Sequence, residues 1–294
     1  MYSDTNGKLE NLRGLIREIE SAIVAFSGGV DSSLVAKLCY DVLGDNALAV
    51  TARSETYPRY ELEHAKKVAR EIGITHLIID TKELDIPGFS SNPPNRCYFC
   101  KSELFERLKE LAQTEGYKYV LDGANADDLQ DYRPGSQAAQ ELGVRSPLKE
   151  AGLTKEEVRK LSKELGLSTW NKPSYACMSS RFPYGQEITP EKLQMVAQAE
   201  DFLLTLGFRQ FRLRHHEWQG PLPSASTMSG GAATLSTPGG ATARLEVAQE
   251  EIKLAIEKRN EIVKKCKELG YTYVTLDLQG YRTGSMNEVL ERKL

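Results

Sequence analysis

The chain has 294 residues, enough at roughly 150 residues per domain for two domains whose cores need no disulfide or metal staple. It is 40% hydrophobic, 8% aromatic and 27% charged, and its longest apolar run, Ala22 to Phe26, is far short of the ~20 residues of a membrane span. With 38 basic against 41 acidic residues and a net charge of −3, it lacks the basic surplus on which nucleic-acid binders depend. Met1 to Glu20 has no apolar signal core, and five cysteines are an odd number, so the expected compartment is the reducing cytosol.

Strands and helices alternate along the first half. Ala22 to Phe26 reads as a strand, Ser32 to Asp41 as a helix, Ala47 to Thr51 as a strand and Tyr60 to Ile72 as a helix. His76 to Ile79 (strand), Glu103 to Thr114 (helix) and Tyr119 to Leu121 (strand) follow. This alternation predicts an α/β fold, a doubly wound parallel sheet with helices on both faces. Thr154-Lys-Glu-Glu157 is a capping box that opens a helix to about Leu165.

Lys172 to Thr189, rich in Pro, Gly and Tyr, breaks the rhythm as a domain joint. The expected division is 1–185 for the first domain and 186–294 for a smaller α+β domain. In the latter, Thr189-Pro190 caps a helix to Leu206. A strand Gln210 to Arg214, a strand Ala243 to Val247, a long helix Gln249 to Leu269 and a strand Tyr271 to Leu276 complete it. Between its first two strands, residues 217–242 are mostly Gly, Ser, Thr, Ala and Pro, the composition of an inserted loop with little to bury.

Ser27-Gly-Gly-Val-Asp-Ser-Ser33 lies between the first strand and the first helix of this alternation, where an open parallel sheet binds its ligand. Gly28 and Gly29 let backbone N–H groups converge on an anion, and the helix dipole favours negative charge there. Ser27, Ser32 and Ser33 add hydroxyls, and Asp31 suits a Mg²⁺ shared with phosphates. No Gly-Lys-Ser/Thr ending follows, so a Walker-type γ-phosphate transfer is not implied. Asp122-Gly-Ala-Asn-Ala-Asp-Asp128 leaves the Tyr119–Leu121 strand towards the same edge. Gly123 permits close approach there, and Asp127 or Asp128 suits either a cation or a helix cap.

Cys97-Tyr-Phe-Cys100 falls in a loop after Pro93-Pro94 and opens the helix around Glu103, and Cys177 falls in another loop beside the joint. Three thiolates are too few for a closed zinc site but suit a [4Fe–4S] cluster with one open iron; a redox dithiol is the alternative for the pair. Cys39 and Cys266 lie in helical patterns as packing residues. Arg212 and Arg214 share one face of a strand, suited to a phosphate or simply to solvent. His215 and His216 point to opposite faces and read as structural.

The phosphate-loop string resembles the signature of the PP-loop ATP pyrophosphatases, Ser-Gly-Gly-x-Asp-Ser. Asp131-Tyr-Arg-Pro-Gly135, Trp170-Asn-Lys-Pro-Ser-Tyr-Ala-Cys177, Ser180-Arg-Phe-Pro-Tyr-Gly185 and Thr275-Leu-Asp-Leu-Gln-Gly-Tyr-Arg-Thr-Gly284 narrow it. Together they resemble the sulfur transferases that build the nickel-pincer cofactor of lactate racemase. The resemblance implies that MgATP adenylates each carboxylate of pyridinium-3,5-biscarboxylic acid mononucleotide, which then becomes a thiocarboxylate. It implies that Arg212, Arg214 and Arg282 hold the substrate's phosphate and that Glu200 is linked to metal binding. It also implies a [4Fe–4S] cluster on Cys97, Cys100 and Cys177, a sulfur donor that recharges it, and a homo-oligomer, a hexamer. Family members with a single cysteine sacrifice its sulfur, which leaves Cys177 as the alternative donor. Other readings are a tRNA-thiolating relative, disfavoured by the net charge, and a module that senses ATP without turning it over.

Overall fold

The computed structural model describes residues 5–129, 134–173, 176–218, 240–282 and 285. The chain divides into two compact units, one of residues 1–89 and 93–177, the other of residues 90–92 and 178–294.

In the first unit the short β-branched strands β1 (Ala22–Ala25), β2 (Ala47–Arg53), β3 (Thr75–Asp80) and β4 (Tyr119–Leu121) form one sheet in the order β3-β2-β1-β4. Every pairing is parallel, as the alternation predicts. The connecting helices are α2 (Val30–Leu43), α3 (Arg59–Ile72) and α4 (Arg96–Glu115), with α1 (Thr5–Ile19) ahead of them. The helices α5 (Pro134–Glu141), α6 (Pro147–Glu150) and α7 (Lys155–Glu164) follow β4. Alternate residues of β1 enter opposite cores. Ala22 and Val24 pack with Leu12, Leu34, Ala65 and Leu161, while Ile23 packs with Leu48, Phe105 and Leu108. Both faces of the sheet are covered, as a parallel sheet requires.

The order reverses between β1 and β4, which places the loops after these two strands side by side. The α7 capping box forms as expected: the Thr154 hydroxyl accepts from the Glu157 N–H, and the Glu157 carboxylate accepts from the Thr154 N–H.

In the second unit α8 (Pro190–Thr205), N-capped by Thr189, packs on a three-stranded mixed sheet. Its strand β5 (Phe211–Trp218) runs antiparallel to β6 (Gly240–Val247), and β6 runs parallel to β7 (Tyr273–Leu276). Helices α9 (Ile252–Glu257) and α10 (Arg259–Glu268) connect β6 to β7. Among the described residues no helix is long and apolar enough to cross a membrane.

Three expectations are corrected. The helix expected from Glu103 begins at Arg96, so Cys97 and Cys100 stand within the first two turns of α4 and not in a loop ahead of it; burial of Phe105, Leu108 and Ala112 holds a helix whose opening Cys-Tyr-Phe-Cys residues are indifferent formers. The single helix expected over Gln249 to Leu269 breaks at Lys258, whose φ of −88° and ψ of 6° leave the helical well without any Gly or Pro to signal it. Both strands flanking the expected loop also run further into it, so Glu217 pairs with Ala241 and Trp218 with Gly240. The remainder of that loop, 219–239, lies outside the described residues, as do Asp131-Tyr-Arg133, Ser174-Tyr175 and Thr283-Gly284.

Candidate active site

The turn after β1 is built from the glycines outward. Gly28 has φ +66°, and a Cβ there would lie 2.8 Å from the Ala65 Cα of α3, so only glycine lets the loop lie against that helix. Ser27 and Ser32 close the loop on themselves. The Ser27 N–H donates to Ser32 Oγ at 3.2 Å, the two hydroxyls are 3.1 Å apart, and the Gly29 N–H reaches Ser27 Oγ at 3.3 Å. Tyr57 donates its hydroxyl proton to the Ser27 carbonyl at 3.0 Å.

The loop after β4 closes on the same helix N-terminus. A Cβ on Gly123 would stand 2.9 Å from the Ser32 nitrogen, which explains a glycine there. Asn125 donates to Asp31 Oδ1 at 3.2 Å, and Lys155 pairs with Asp31 Oδ2. Asp31 thus sits between an amide and an ammonium. Asp127 accepts from the Lys155 backbone N–H at 2.8 Å, which makes it a cap for α7, and Asp128 accepts from the Asn125 N–H at 3.0 Å. The structure brings together Ser27, Gly28, Gly29, Asp31, Ser32, Gly123 and Asp127 around one crevice. Asn125 and Lys155 were not singled out in the sequence. Lys155 lies inside the capping-box string, where only the cap was legible.

The three cysteines form a second cluster of the same unit. Cys97 is exposed on the first turn of α4, while Cys100 and Cys177 are half-buried. Burial, then the neighbouring Glu83 and Cys177, push the Cys100 thiol up from its ordinary value. Cys100 donates its thiol proton to Glu83 Oε1 at 3.1 Å, and Glu83 accepts on its other oxygen from Thr56. Cys177 is therefore within electrostatic reach of both Cys97 and Cys100. Among the described residues no three His, Cys, Asp or Glu side chains close on a single ion. A three-thiol donor set that soft suits iron–sulfur chemistry, and a cubane spreads its ligands wider than one ion does. Cys39 and Cys266 are buried in apolar surroundings that push their thiols up to about 12 and about 11, as packing residues.

The second unit holds a buried charge network. Arg181 grips both oxygens of Glu200 (2.8 and 2.9 Å), and Glu200 also accepts the Leu213 N–H at 3.0 Å. A metal at Glu200 would have to displace that guanidinium. Arg214, fully buried, donates to Glu246 at 2.9 Å, to Ser285 at 2.7 Å and to the Ser180 carbonyl. Arg244 takes the other oxygen of Glu246 at 2.9 Å and faces Asp277, as Arg282 does at 3.6 Å. Arg212 is only 7% exposed and stacks 4.9 Å over the Tyr281 ring. Burial pulls the Arg212 pKa down. Among the described residues no carboxylate pairs with it. Among the described residues, five guanidiniums are thus grouped with three carboxylates. Of the two adjacent histidines, His215 lies against Phe182 and 3.2 Å from the Tyr271 hydroxyl, a packing position.

Comparison with known proteins agrees with this crevice. Residues 10–110 match the family model described as NAD synthase. An uncharacterised protein of Synechocystis sp. is 48% identical over 97% of this chain and 98% of its own. One of the subunits of the glutamine-hydrolysing GMP synthase of Pyrococcus furiosus is 27% identical over 65% of each chain. The pyridinium-3,5-bisthiocarboxylic acid mononucleotide synthase of Lactiplantibacillus plantarum is 36% identical over 97% of this chain and 95% of its own. The chain is an ATP-dependent enzyme of the PP-loop ATP pyrophosphatases and belongs to the family of pyridinium-3,5-bisthiocarboxylic acid mononucleotide synthase.

Proposed function

We propose that this chain adenylates the carboxylates of pyridinium-3,5-biscarboxylic acid mononucleotide with MgATP and converts them to thiocarboxylates for a nickel-pincer cofactor. The observation that carries the reading is the closure of the Gly28, Gly29 and Asp31 loop on Gly123, in the same unit as Cys97, Cys100 and Cys177. A substrate carboxylate oxygen bonds to the α phosphorus of ATP as the bond to the β-phosphate breaks, and pyrophosphate leaves. The N–H groups at the start of α2 and the dipole of that helix hold the departing charge. Mg²⁺ binding to Asp31 would free Lys155, whose ammonium then faces the phosphates. A sulfur nucleophile next bonds to the acyl carbon, the C–O bond to AMP breaks, and AMP departs with the electron pair.

Cys97, Cys100 and Cys177 would hold a [4Fe–4S] cluster, which supplies an open iron position from which sulfur is delivered. Burial around Cys100 disfavours a free thiolate, so an iron group bound there would release the thiol proton and neutralise the thiolate that forms. A donor of sulfur recharges the site, and the chain works as a homo-oligomer, a hexamer. Arg212, with the neighbouring Arg214 and Arg282, binds the mononucleotide's 5′-phosphate; the buried Arg212 guanidinium, stacked on Tyr281, supports this.

The test pairs two assays. Pyrophosphate release that requires the mononucleotide, with a thiocarboxylate product by mass spectrometry, is expected. Release that requires tRNA instead would replace this substrate with the thiolating alternative. Anaerobic protein should carry about four irons and a broad 400 nm absorption that Cys97→Ala abolishes. A colourless, iron-free protein active for one turnover would assign the sulfur to Cys177 itself.

A further inference from the structure

We propose that Glu83 is a positioning residue of the sulfur site, tied to the phosphate loop through Thr56 and Tyr57, so that nucleotide in the loop firms the hold on Cys100. The inference rests on the function proposed above and names what joins its two sites.

Glu83 opens the short turn after β3, is 9% exposed, and uses both carboxylate oxygens. Its Oε1 accepts the Cys100 thiol proton at 3.1 Å, and its Oε2 accepts from the Thr56 hydroxyl. Among the described residues no lysine or arginine pairs with it. A carboxylate this enclosed is costly unless its lone pairs are met, and a thiol is a weak donor for that purpose. Stability alone therefore gives little reason for a carboxylate here; its grip on the Cys100 side chain gives one.

Thr56 is 1% exposed and belongs to a turn closed on itself. Its N–H donates to Ser54 Oγ at 3.3 Å, the Ser54 and Thr56 hydroxyl oxygens are 3.2 Å apart, and the Tyr57 N–H donates to the Ser54 carbonyl at 3.2 Å. Residues 54–57 consequently shift as one piece. The turn leaves β2 at Arg53, whose carbonyl accepts from the Thr81 N–H at 2.9 Å, and it leads into α3 at Arg59. At its far end the Tyr57 hydroxyl donates to the Ser27 carbonyl at 3.0 Å. Three side-chain hydrogen bonds and one closed turn thus connect the phosphate loop to the Cys100 thiol, all within the first unit.

The Ser27 carbonyl shares a peptide with the Gly28 N–H, which has no partner among the described residues. When that N–H donates to phosphate, the carbonyl becomes a stronger acceptor, because hydrogen bonds on one peptide polarise each other. The Tyr57 contact tightens, the turn follows, and Thr56 keeps Glu83 on the Cys100 sulfur. Lys172, paired with Glu61 at 2.7 Å, donates to the Gly28 carbonyl at 3.3 Å and pins the next peptide. A merely structural chain of contacts would set stability and leave Cys100 indifferent to nucleotide.

The test reads Cys100 without substrate. The full chain, reduced and freed of iron by a chelator that is then removed, is alkylated with iodoacetamide with and without MgATP. Each cysteine is followed by peptide mass spectrometry. We expect MgATP to slow labelling of Cys100 about fivefold in the wild type, the low end of ordinary coupling between two sites. Thr56→Val keeps the shape of a residue that hydrogen-bonds to neither the loop nor Cys100, and removes its hydroxyl. It should label Cys100 at one rate regardless of MgATP, and Thr56→Ser should restore the protection. Equal protection in Thr56→Val overturns the proposal, because the nucleotide would then shield Cys100 directly. Wild-type labelling that ignores MgATP while calorimetry shows it bound overturns it as well. Should Thr56→Val fail to fold by circular dichroism, Tyr57→Phe cuts the same chain at its other end and is read the same way. A wild type that binds no MgATP loses the phosphate site and this inference together. Pyrophosphate release with the mononucleotide, beside a Cys100 that ignores MgATP, would keep the proposed function and remove only the coupling.

Discussion

Lys155 and Asp31, 124 residues apart in sequence, meet as an ion pair where α7 and α2 begin. Two helix N-termini and a carboxylate converge there, and the ammonium offsets the carboxylate's repulsion of an incoming polyphosphate. If Lys155 turns to the phosphates once Mg²⁺ takes Asp31, Lys155→Met loses a charge-assisted hydrogen bond. The KM for MgATP should then rise about ten- to hundredfold, from a contribution of about 1.5–3 kcal/mol. An unchanged KM with a lowered melting temperature would make Lys155 a structural partner of Asp31 only.

The second unit surrounds two neighbouring arginines differently. Arg214 is locked to Glu246 and Ser285 with no exposure, so Glu246→Gln strands buried positive charge and should destabilise by about 3–5 kcal/mol. Urea denaturation gives this number. A loss under about 1 kcal/mol would mean that water reaches the pair.

Arg212, by contrast, stacks on Tyr281 and pairs with no carboxylate among the described residues. Arg212→Ala should raise the KM for the mononucleotide about tenfold or more, as loss of a guanidinium–phosphate contact does. Arg212→Lys should recover only part, because an ammonium lacks the planar fork and the ring stacking. If both variants bind the mononucleotide as the wild type does, the phosphate sits elsewhere.

Much of the first unit was legible because its signals are local. Ala22 to Phe26 is too short and too β-branched for a helix, and Thr154 with Glu157 carries its own cap chemistry. Gly28, Gly29 and Asp31 are contiguous, so the loop could be read as one string. The partners of that loop could not. Asn125, Lys155 and Lys172 reach it only because the strand order reverses between β1 and β4 and because α7 folds back onto α2. Charge pairing in the second unit was hidden for the same reason. Period-two spacing put Arg212 and Arg214 on one face, but Glu246 comes from the opposing strand and Ser285 from beyond β7. The break at Lys258 leaves no mark in composition at all.

The α7 cap ties a helix of the active site to the N-terminal helix. Glu157 closes the capping box and also accepts from Lys8 at 2.8 Å. Thr154→Ala should cost about 1 kcal/mol, the usual worth of an N-cap. Glu157→Ala should cost more, since it removes the reciprocal cap and leaves Lys8 without this carboxylate. Comparable midpoints for the two variants in urea would show that the Lys8 contact adds nothing.

All four histidines of the chain are held below their ordinary value, chiefly by burial. His64 and His216 are pushed down to about 4, the latter also by the charges of Arg244 and Arg214. In the unfolded chain each titrates near 6.5. Between pH 6.5 and about 4 the unfolded chain therefore binds protons that the folded chain refuses, so stability rises with pH across that window. The contribution is complete above pH 6.5 and is lost progressively as the pH falls towards 4. Urea midpoints should be level from pH 8 to 7 and then drop steadily to pH 5, before the carboxylates titrate. His216→Asn should flatten the drop, because asparagine carries no proton to bind on unfolding. A wild-type midpoint that holds constant from pH 7 to 5 would mean that these rings are protonated in the folded protein.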